Sequence, residues 1–330
     1  MSKIRIGITM GDPSGIGAAI IAKAIKEIKF SAELVVIGDR WVFDKSRDRA
    51  CPCPLSVETG RDLSVKSQKF RFVDLNNVPR KDFKFGKIRA EYGRASVEYL
   101  DKAMDLIKKN EIDSLVTAPI SKQAVNLAGF RFAGHTEYLE ERTQTKNTVM
   151  MLSNKRLRFS LVTRHIPLED VASRLNKEEL YKTILITYQS LRTLFLIKEP
   201  RIVVCGLNPH ASDNGIIGGQ ENRIIKPVIK RFKKNIRYIE GPLSSDIAVK
   251  RAFEKKYDCA IAMYHDQALI PLKLSDSCSG VNLTLGLPFI RTSPLHGTAF
   301  DIAAVTLADP RSLIEAIRLN IICASNQRRV

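Results

Sequence analysis

The chain has no apolar run of the roughly 20 residues needed to span a bilayer. Its amino terminus, MSKIRIGITMGDPSG, passes from a strand-like run into a glycine-rich turn, which is not the pattern of a signal peptide. We therefore expect a cytoplasmic protein with no membrane association. Cysteine is also scarce: there are 6, and Cys51 and Cys53 have the wrong spacing for a redox pair or a zinc knuckle. We interpret all of them as reduced and structural.

Acidic and aromatic residues are few relative to the basic ones. Lys and Arg number 53 against 35 Asp and Glu, giving a formal net charge of +18, while aromatic residues make up 7%. The basic residues are scattered over presumed helix faces without interleaved aromatics, so the composition favours a solvated basic surface over a nucleic-acid interface. Such a surface would also attract an anionic small substrate.

Two nucleotide-binding signatures are missing. The turn GDPSGIG after the first strand has the spacing G-x-x-x-G-x-G, which is neither the dinucleotide fingerprint nor a phosphate-binding P-loop. A strand, a glycine turn and a helix in this order can direct helix amides at an anion. The same glycines can also serve only to allow a tight turn.

What is present is a regular alternation of strand and helix patterns. It predicts an α/β protein with a largely parallel sheet, and 330 residues predict two lobes. Within it we expect an amphipathic helix from Ala90 to Lys109, an N-cap at Ser121, a hairpin turning at Lys155, a functional loop from Asn208 to Glu221, and a helix starting near Thr298.

The histidines carry the main chemical signal. Of only 5 histidines, His165, His210 and His265 each follow an apolar, β-branched run. If these runs are neighbouring strands, the three imidazoles share one sheet edge and could hold one metal ion. Each could instead be an ordinary hydrogen-bonded histidine. Asp246 fits either a helix cap or a group facing the His265 edge.

Several long blocks then resemble one known family. The chain is similar, from Ile6 to about Ala303, to the 4-hydroxythreonine-4-phosphate dehydrogenases of the pyridoxal phosphate pathway, in the blocks GDPSGIG, TAPISKQAVN, GHTEYLEERT, GLNPHASDNG, MYHDQALIPLK and GVNLTLGLPFIRTSPLHGTAFDIA. The resemblance implies a fold like that of isocitrate and isopropylmalate dehydrogenases, with two lobes and a central cleft. It implies a dinucleotide-binding lobe of residues 1–128 and 286–330, and a metal, substrate and dimerisation lobe of residues 129–285.

The resemblance also implies a reaction: oxidation of 4-phosphohydroxy-L-threonine by NAD or NADP with a divalent metal (Zn, Mg or Co), then decarboxylation to 3-amino-2-oxopropyl phosphate. It implies a homodimer with active sites shared between subunits. The residues carried over are the metal ligands His165, His210 and His265; the substrate residues His135, Thr136, Lys273, Asn282 and Arg291; and the cofactor residues His296, Gly297 and Asp301. Asp246 and Asp266 are candidate catalytic carboxylates on chemical grounds, either to orient a metal-bound imidazole or to move a proton.

Three other functions stay open at this point. The same scaffold could oxidise D-threonate or D-erythronate 4-phosphate, could act as a metallophosphatase, or could bind nucleic acid without catalysis. The chain also departs from the family pattern at a few positions, namely Ala18 and Ala19 after the glycine turn, Arg164, Ala268 and Ala304.

Overall fold

The computed structural model describes residues 3–27, 30–50, 63–65, 68–132, 134–305 and 308–329. Cys51 and Cys53 lie outside these ranges. The four cysteines inside them are free thiols, as predicted: Cys205, Cys259, Cys278 and Cys323. Burial raises the pKa of the Cys205 thiol to about 12, so this group is inert at neutral pH.

The chain forms two compact units. The first contains Met1–Lys146 and Leu287–Ser325, and the second contains Asn147–Gly286 and Asn326–Val330. The sequence prediction put the first boundary after residue 128. In the structure residues 129–146 belong to the first unit instead, since Tyr138 and Arg142 of the helix His135–Thr143 bond Asp101 in the helix Ala90–Lys108. The roles predicted for the two lobes remain predictions.

Among the residues that the structure describes, the first unit contains six strands, numbered here in chain order along the whole protein. Their order is β3-β4-β2-β1-β5-β12. All adjacent pairs are parallel except β3 with β4. Their bounds are β1 Ile4–Thr9, β2 Ala32–Gly38, β3 Leu63–Val65, β4 Gln68–Asp74, β5 Ser114–Thr117 and β12 Ile290–Pro294.

The helices in the described part of this unit are α1 Gly17–Glu27, α2 Arg40–Ala50, α3 Ala90–Lys108, α4 Lys122–Leu127, α5 His135–Thr143 and α11 Arg311–Gln327. The predicted cap is confirmed, because Ser121 Oγ accepts a hydrogen bond from Ala124 N at 3.1 Å. Helices α3 and α4 approach closely at Gly93. A Cβ atom there would lie 2.0 Å from the carbonyl oxygen of Ala124.

The other six strands of the described ranges belong to the second unit, in the order β11-β6-β7-β10-β8-β9. Strands β7, β10, β8 and β9 are parallel, while β6 runs antiparallel to both β11 and β7. The predicted hairpin at Lys155 is the β6–β7 connection. The bounds are β6 Val149–Ser153, β7 Arg158–Leu161, β8 Ile202–Cys205, β9 Ile239–Leu243, β10 Cys259–Ala262 and β11 Val281–Leu285.

The helices of this unit are α6 Leu168–Arg174, α7 Lys177–Thr193, α8 Lys226–Phe232, α9 Ser245–Phe253 and α10 His265–Ser275, with a 3-10 turn Pro209–Gly215 and a π-helical turn Glu221–Ile225. The predicted α/β class with largely parallel strands is confirmed. None of the helices in the described ranges is long and apolar enough to cross a membrane.

The helix predicted from Thr298 is wrong. Residues 300–304 form turns instead. Ala299 has a left-handed φ of 45°, which interrupts a right-handed helix. The carbonyl oxygen of Thr298 accepts from Ile16 N at 3.1 Å, so the backbone of this segment is bonded to the glycine turn rather than to itself.

Candidate active site

The second unit brings the ends of β7 and β10 together. The strands are parallel, and their pairing continues past both ends. The backbone N–H and the hydroxyl of Thr163 both donate to the carbonyl oxygen of Met263, at 3.1 and 2.7 Å. His165 lies two residues after Thr163, and His265 lies two residues after Met263. The carboxyl-terminal edge of this sheet therefore presents two histidines at the same level.

These two histidines are neighbours. Their ring centroids lie 5.3 Å apart with an interplanar angle of 44°. Nδ1 of His265 lies 2.7 Å from Oδ1 of Asp266. A neutral imidazole that donates Nδ1–H to a carboxylate presents its Nε2 lone pair as a ligand. The donor set of this pair fits a divalent ion that accepts imidazole, such as Zn or Co, better than it fits Mg.

His210 is not part of this group. It lies on the 3-10 turn Pro209–Gly215, where residues 210–214 all have positive φ, between 43° and 68°. In the ranges that the structure describes, no three His, Cys, Asp or Glu side chains are grouped so that they could hold an ion. The structure thus pairs two of the three predicted metal ligands, and the role of His210 stays a prediction.

Asp246 lies in the first turn of α9, which Ser244 precedes. A hydrogen bond from Ser244, one from the backbone of Ile247 and the charge of His210 lower the pKa of Asp246. Asp246 therefore does not occupy the predicted cap position, which is Ser244, and the histidine whose charge acts on it is His210. Asp266, in contrast, contacts His265 directly.

A buried glutamine connects three of the segments at this edge. Gln267 Oε1 accepts from Met263 N at 2.6 Å, and its Nε2 donates to Gly206 O at 2.8 Å and to Ser245 Oγ at 2.7 Å. Met263 directly follows β10, Gly206 directly follows β8, and Ser245 is the first residue of α9. One amide therefore fixes the relative positions of the segments that carry His265, His210 and Asp246.

A buried carboxylate holds the loop before His210. Glu221, fully buried, accepts from Leu207 N at 2.9 Å, from Asn208 N at 2.7 Å and from Asn208 Nδ2 at 2.9 Å. Burial raises the pKa of Glu221, but these bonds outweigh it and leave that pKa below its ordinary value. The carboxylate is thus ionised and pins the start of the loop.

Lys273 and Asn282 lie elsewhere in the second unit. Lys273 is exposed in the last turn of α10. Asn282 lies on β11 opposite Leu152, and its buried Oδ1 atom has no hydrogen-bond donor within the described residues. An exposed ammonium and an unsatisfied amide oxygen are both able to bind a ligand.

In the first unit, Arg291 is a buried cation. It is 2% exposed and donates from Nη2 to Oγ1 of Thr117 at 2.7 Å. Burial lowers the pKa of Arg291 to about 10, and the charge of Glu137 partly opposes this shift. A buried guanidinium is costly unless an anion compensates it, so this position favours phosphate or carboxylate binding.

His135 lies against this cation at the start of α5. Burial, together with the positive charge of Arg291, lowers the pKa of His135 well below its ordinary value, so the imidazole is neutral. Its buried Nε2 has no hydrogen-bond partner within the described ranges. Thr136, next in the chain, is buried as well. The structure therefore places two of the five predicted substrate residues, His135 and Arg291, within electrostatic reach of each other.

The glycine turn of the first unit encloses a buried carboxyl group. Asp12 Oδ1 accepts from Ser14 N and Ser14 Oγ, both at 2.9 Å, and Asp12 N donates to Pro119 O at 2.9 Å. Burial raises the pKa of Asp12 to about 6, although the bonds from Ser14 oppose the shift. Its Oδ2 is buried without a hydrogen-bond partner among the described residues.

The segment predicted to bind the dinucleotide follows β12 and contacts this turn through Thr298. His296 Nδ1 lies 3.2 Å from the carbonyl oxygen of Gly297, and burial lowers the pKa of His296. No described atom lies within 4 Å of the place where a Cβ on Gly297 would be. Asp301 is exposed on the turn that follows. The backbone at Gly297 is therefore open to close approach by a ligand.

Three residues of these sites were missed in the sequence. Asp12 is part of GDPSGIG, Gln267 directly follows His265-Asp266, and Glu221 ends the glycine-rich loop. Each was visible as a polar residue inside a block singled out for another reason. Their burial in the structure identifies them. Hydrophobic periodicity in the sequence does not predict burial for residues in turns.

Comparison with known proteins is consistent with this arrangement. Residues 30–320 match the family model described as pyridoxal phosphate biosynthetic protein PdxA. A 4-hydroxythreonine-4-phosphate dehydrogenase of Sulfurihydrogenibium sp. (strain YO3AOP1) is 42% identical over 326 residues, 97% of this chain and 98% of that protein. A D-threonate 4-phosphate dehydrogenase of Cupriavidus necator is 40% identical over 318 residues, 95% of each.

A solved structure agrees over nearly the whole length. The crystal structure of 4-hydroxythreonine-4-phosphate dehydrogenase from Klebsiella pneumoniae has a TM-score of 0.83 and 35% sequence identity, and the match covers 98% of both chains. The chain belongs to the PdxA family of pyridoxal phosphate biosynthetic proteins.

Proposed function

We propose that this PdxA-type dehydrogenase oxidises 4-phosphohydroxy-L-threonine, with NAD+ or NADP+ as the hydride acceptor, to 2-amino-3-oxo-4-phosphobutanoate, which decarboxylates to 3-amino-2-oxopropyl phosphate. The observation that carries the proposal is the pair of His165 and His265 at the carboxyl-terminal edge of parallel strands, with ring centroids 5.3 Å apart. Relatives named for this activity cover almost the full chain.

His165 and His265 would hold the divalent metal, and His210 would be the third ligand. When bound, such an ion supplies Lewis acidity that stabilises negative charge on the substrate oxygen. Asp266 orients the His265 ring by accepting from Nδ1, which keeps Nε2 unprotonated. Asp246, ionised near His210, is our candidate for moving the proton of the substrate hydroxyl.

The anionic groups of the substrate need donors. Arg291 offers a fixed guanidinium fork, and the neutral His135 beside it offers a ring N–H. Thr136, Lys273 and Asn282 complete the set that we propose to bind substrate. His296, Gly297 and Asp301 would contact the dinucleotide, which explains why no G-x-G-x-x-G motif is needed in this chain.

A second candidate function is oxidation of D-threonate 4-phosphate or D-erythronate 4-phosphate. It is favoured by a relative named for the D-threonate activity at 40% identity over 95% of this chain. The substrates differ in carrying a hydroxyl where phosphohydroxythreonine carries an amine. A carboxylate of the protein close to this position would favour the substrate that carries the amine, because it would attract the positively charged ammonium group.

The deciding experiment is NAD(P)H formation measured with each substrate in turn, with and without a chelator. Turnover of 4-phosphohydroxy-L-threonine that stops with chelator and returns with added Zn or Co supports the proposal. Turnover of D-threonate 4-phosphate alone moves the assignment to the second candidate. Phosphate release without NAD(P)H would indicate a phosphatase, and salt-dependent RNA or DNA binding without turnover would indicate a nucleic-acid-binding protein.

We further propose a cytoplasmic homodimer in which both subunits contribute to each active site. Sedimentation of the purified chain gives the oligomeric state. Mixing two inactive variants, His135→Ala and His265→Ala, tests sharing: recovery of activity after subunit exchange supports it. Inactive mixtures whose subunits have exchanged would contradict it.

A further inference from the structure

A basic depression lies at the amino-terminal edge of the second unit's sheet. It has a volume of about 50 Å³ and is bordered by the first residues of β7, by the residues just before β8 and β10, and by the β6–β7 turn. The histidines follow the other ends of the same three parallel strands. The depression is therefore separate from the edge that carries the proposed metal ligands.

Its walls are strongly cationic. A single carboxylate, Asp258, lines it together with five basic residues: Lys155, Arg156, Arg158, Arg201 and Lys255. Asp258 is occupied by Arg201, which donates from Nε to Oδ2 at 3.1 Å and from Nη2 to Oδ1 at 2.8 Å. This ion pair neutralises the charge of Arg201. Arg158 and Lys255 remain as cations in the wall of the depression.

Two of the other cations, Arg158 and Lys255, contact uncharged groups. The Arg158 guanidinium lies 4.6 Å from the ring centroid of Phe195 and donates to the backbone oxygen of Asp258 at 3.3 Å. Lys255 Nζ donates to the backbone oxygen of Lys155 at 3.5 Å. Within the described ranges, neither Arg158 nor Lys255 forms an ion pair with a side-chain carboxylate. Both residues line the same depression, and an anion bound there would reduce the repulsion between their like charges.

We propose that this depression is a binding site for a phosphate anion, either inorganic pyrophosphate or the phosphate end of a small ester. Arg158, stacked on Phe195, presents a preorganised fork of the kind that matches phosphate oxygens. Lys255 supplies a point charge on a flexible stem. The volume of about 50 Å³ is several times the roughly 10–15 Å³ that one water molecule needs, so the depression is sized for a single phosphate group, and the remaining part of the ligand stays in solvent. The site does not depend on the reaction proposed above.

The test is titration calorimetry of the whole protein with inorganic pyrophosphate, glycerol phosphate and, as a control, sulfate at equal ionic strength. The variants are Arg158→Gln with Lys255→Gln, and the control pair Lys230→Gln with Lys234→Gln, which removes the same charge from an exposed region. We expect the first pair to weaken pyrophosphate or ester binding by about tenfold or more. The control pair should leave that affinity unchanged.

Equal losses in both variant pairs would overturn the proposal, since the affinity would then follow net charge alone. Sulfate binding as tight as pyrophosphate and ester binding would overturn it too. Arg158→Lys separates the charge from the guanidinium fork, because it keeps the positive charge and loses the planar group stacked on Phe195. Retention of part of the affinity by Arg158→Lys, at an unchanged melting temperature, supports the site. Tighter pyrophosphate binding assigns it to inorganic anions, and tighter ester binding to a metabolite.

Discussion

Gln267 Nε2 donates to Ser245 Oγ at 2.7 Å, and this bond ties the start of α10 to the start of α9. The same side chain bonds Met263 and Gly206. The position of His265 relative to the 207–210 loop and to Asp246 therefore depends on one amide that contacts no substrate in our proposal. It is a positioning residue, and its removal should affect geometry before chemistry.

Replacing Gln267 by Ala should lower the free energy of unfolding by about 1–3 kcal/mol, because Met263 N and Gly206 O would lose buried partners. Urea unfolding measures this loss. Metal affinity, measured by calorimetry on the folded variant, should fall as well. Gln189→Ala, at an exposed position of α7, is the control. Unchanged metal affinity in Gln267→Ala would show that the amide is only structural.

Asp266→Asn should weaken binding of Zn or Co by roughly 10–100-fold, since the amide orients the His265 ring less well than the carboxylate does. Calorimetry with the ion alone gives the affinity without any assay of turnover. Glu178→Gln removes an equal charge from an exposed position on α7 and should bind as the unmodified protein does. Equal affinity in both variants would argue against ligation by His265.

His210→Ala should abolish most turnover while leaving the fold intact, because His210 is exposed and only its role as third ligand would be lost. Steady-state NAD(P)H formation and circular dichroism together test this. Full activity in the variant would contradict the three-histidine site and leave His165 and His265 as the protein's imidazole ligands.

Arg291→Lys should reduce kcat/KM for the phosphorylated substrate by about 100-fold, because an ammonium cannot reproduce a two-point guanidinium contact. Initial-rate kinetics on a variant with a normal melting temperature give the value. Arg318→Lys, an exposed site on α11, controls for the loss of any guanidinium. A normal kcat/KM in Arg291→Lys would remove Arg291 from the substrate site.

Asp12 predicts a specific pH dependence. Its pKa is raised from 3.8 to about 6 in the folded protein, so the folded state binds the proton more tightly than the unfolded state. Below pH 3.8 this proton binding contributes fully to the free energy of unfolding, and the contribution is lost as the pH rises through about 6. The change is on the order of 3 kcal/mol. Asp12→Asn should remove this part of the pH dependence in urea unfolding. The same pH dependence in Asp12→Asn and the unmodified protein would contradict burial of an ionisable Asp12.

The sequence predicted the strand ends well and the loops poorly. His165 and His265 were placed correctly because parallel strands bring their carboxyl ends to one edge, and apolar runs mark those strands. The geometry of His210 was not predictable, since five successive left-handed residues leave no trace in hydrophobic periodicity. The helix start predicted at Thr298 was wrong for a related reason. The carbonyl oxygen of Thr298 accepts a hydrogen bond from the glycine turn, which is distant in the sequence.

The burial of Arg291 was equally hidden. A single arginine within the apolar run of β12 gives no indication of whether its head reaches solvent, because long side chains often do so. Only the surrounding strands decide it, and here they leave the guanidinium 2% exposed. The resemblance to the family identified the residue, and the structure explains its chemistry.

Gly93 has a consequence for how this protein can vary over evolution. Alanine would improve the intrinsic helix propensity of α3 by about 1 kcal/mol. Yet its methyl carbon would lie 2.0 Å from the carbonyl oxygen of Ala124, a distance at which one helix must move. The position is thus closed to every other amino acid for as long as α3 and α4 keep this packing. A related protein without this glycine must therefore place α4, the helix that follows β5, differently.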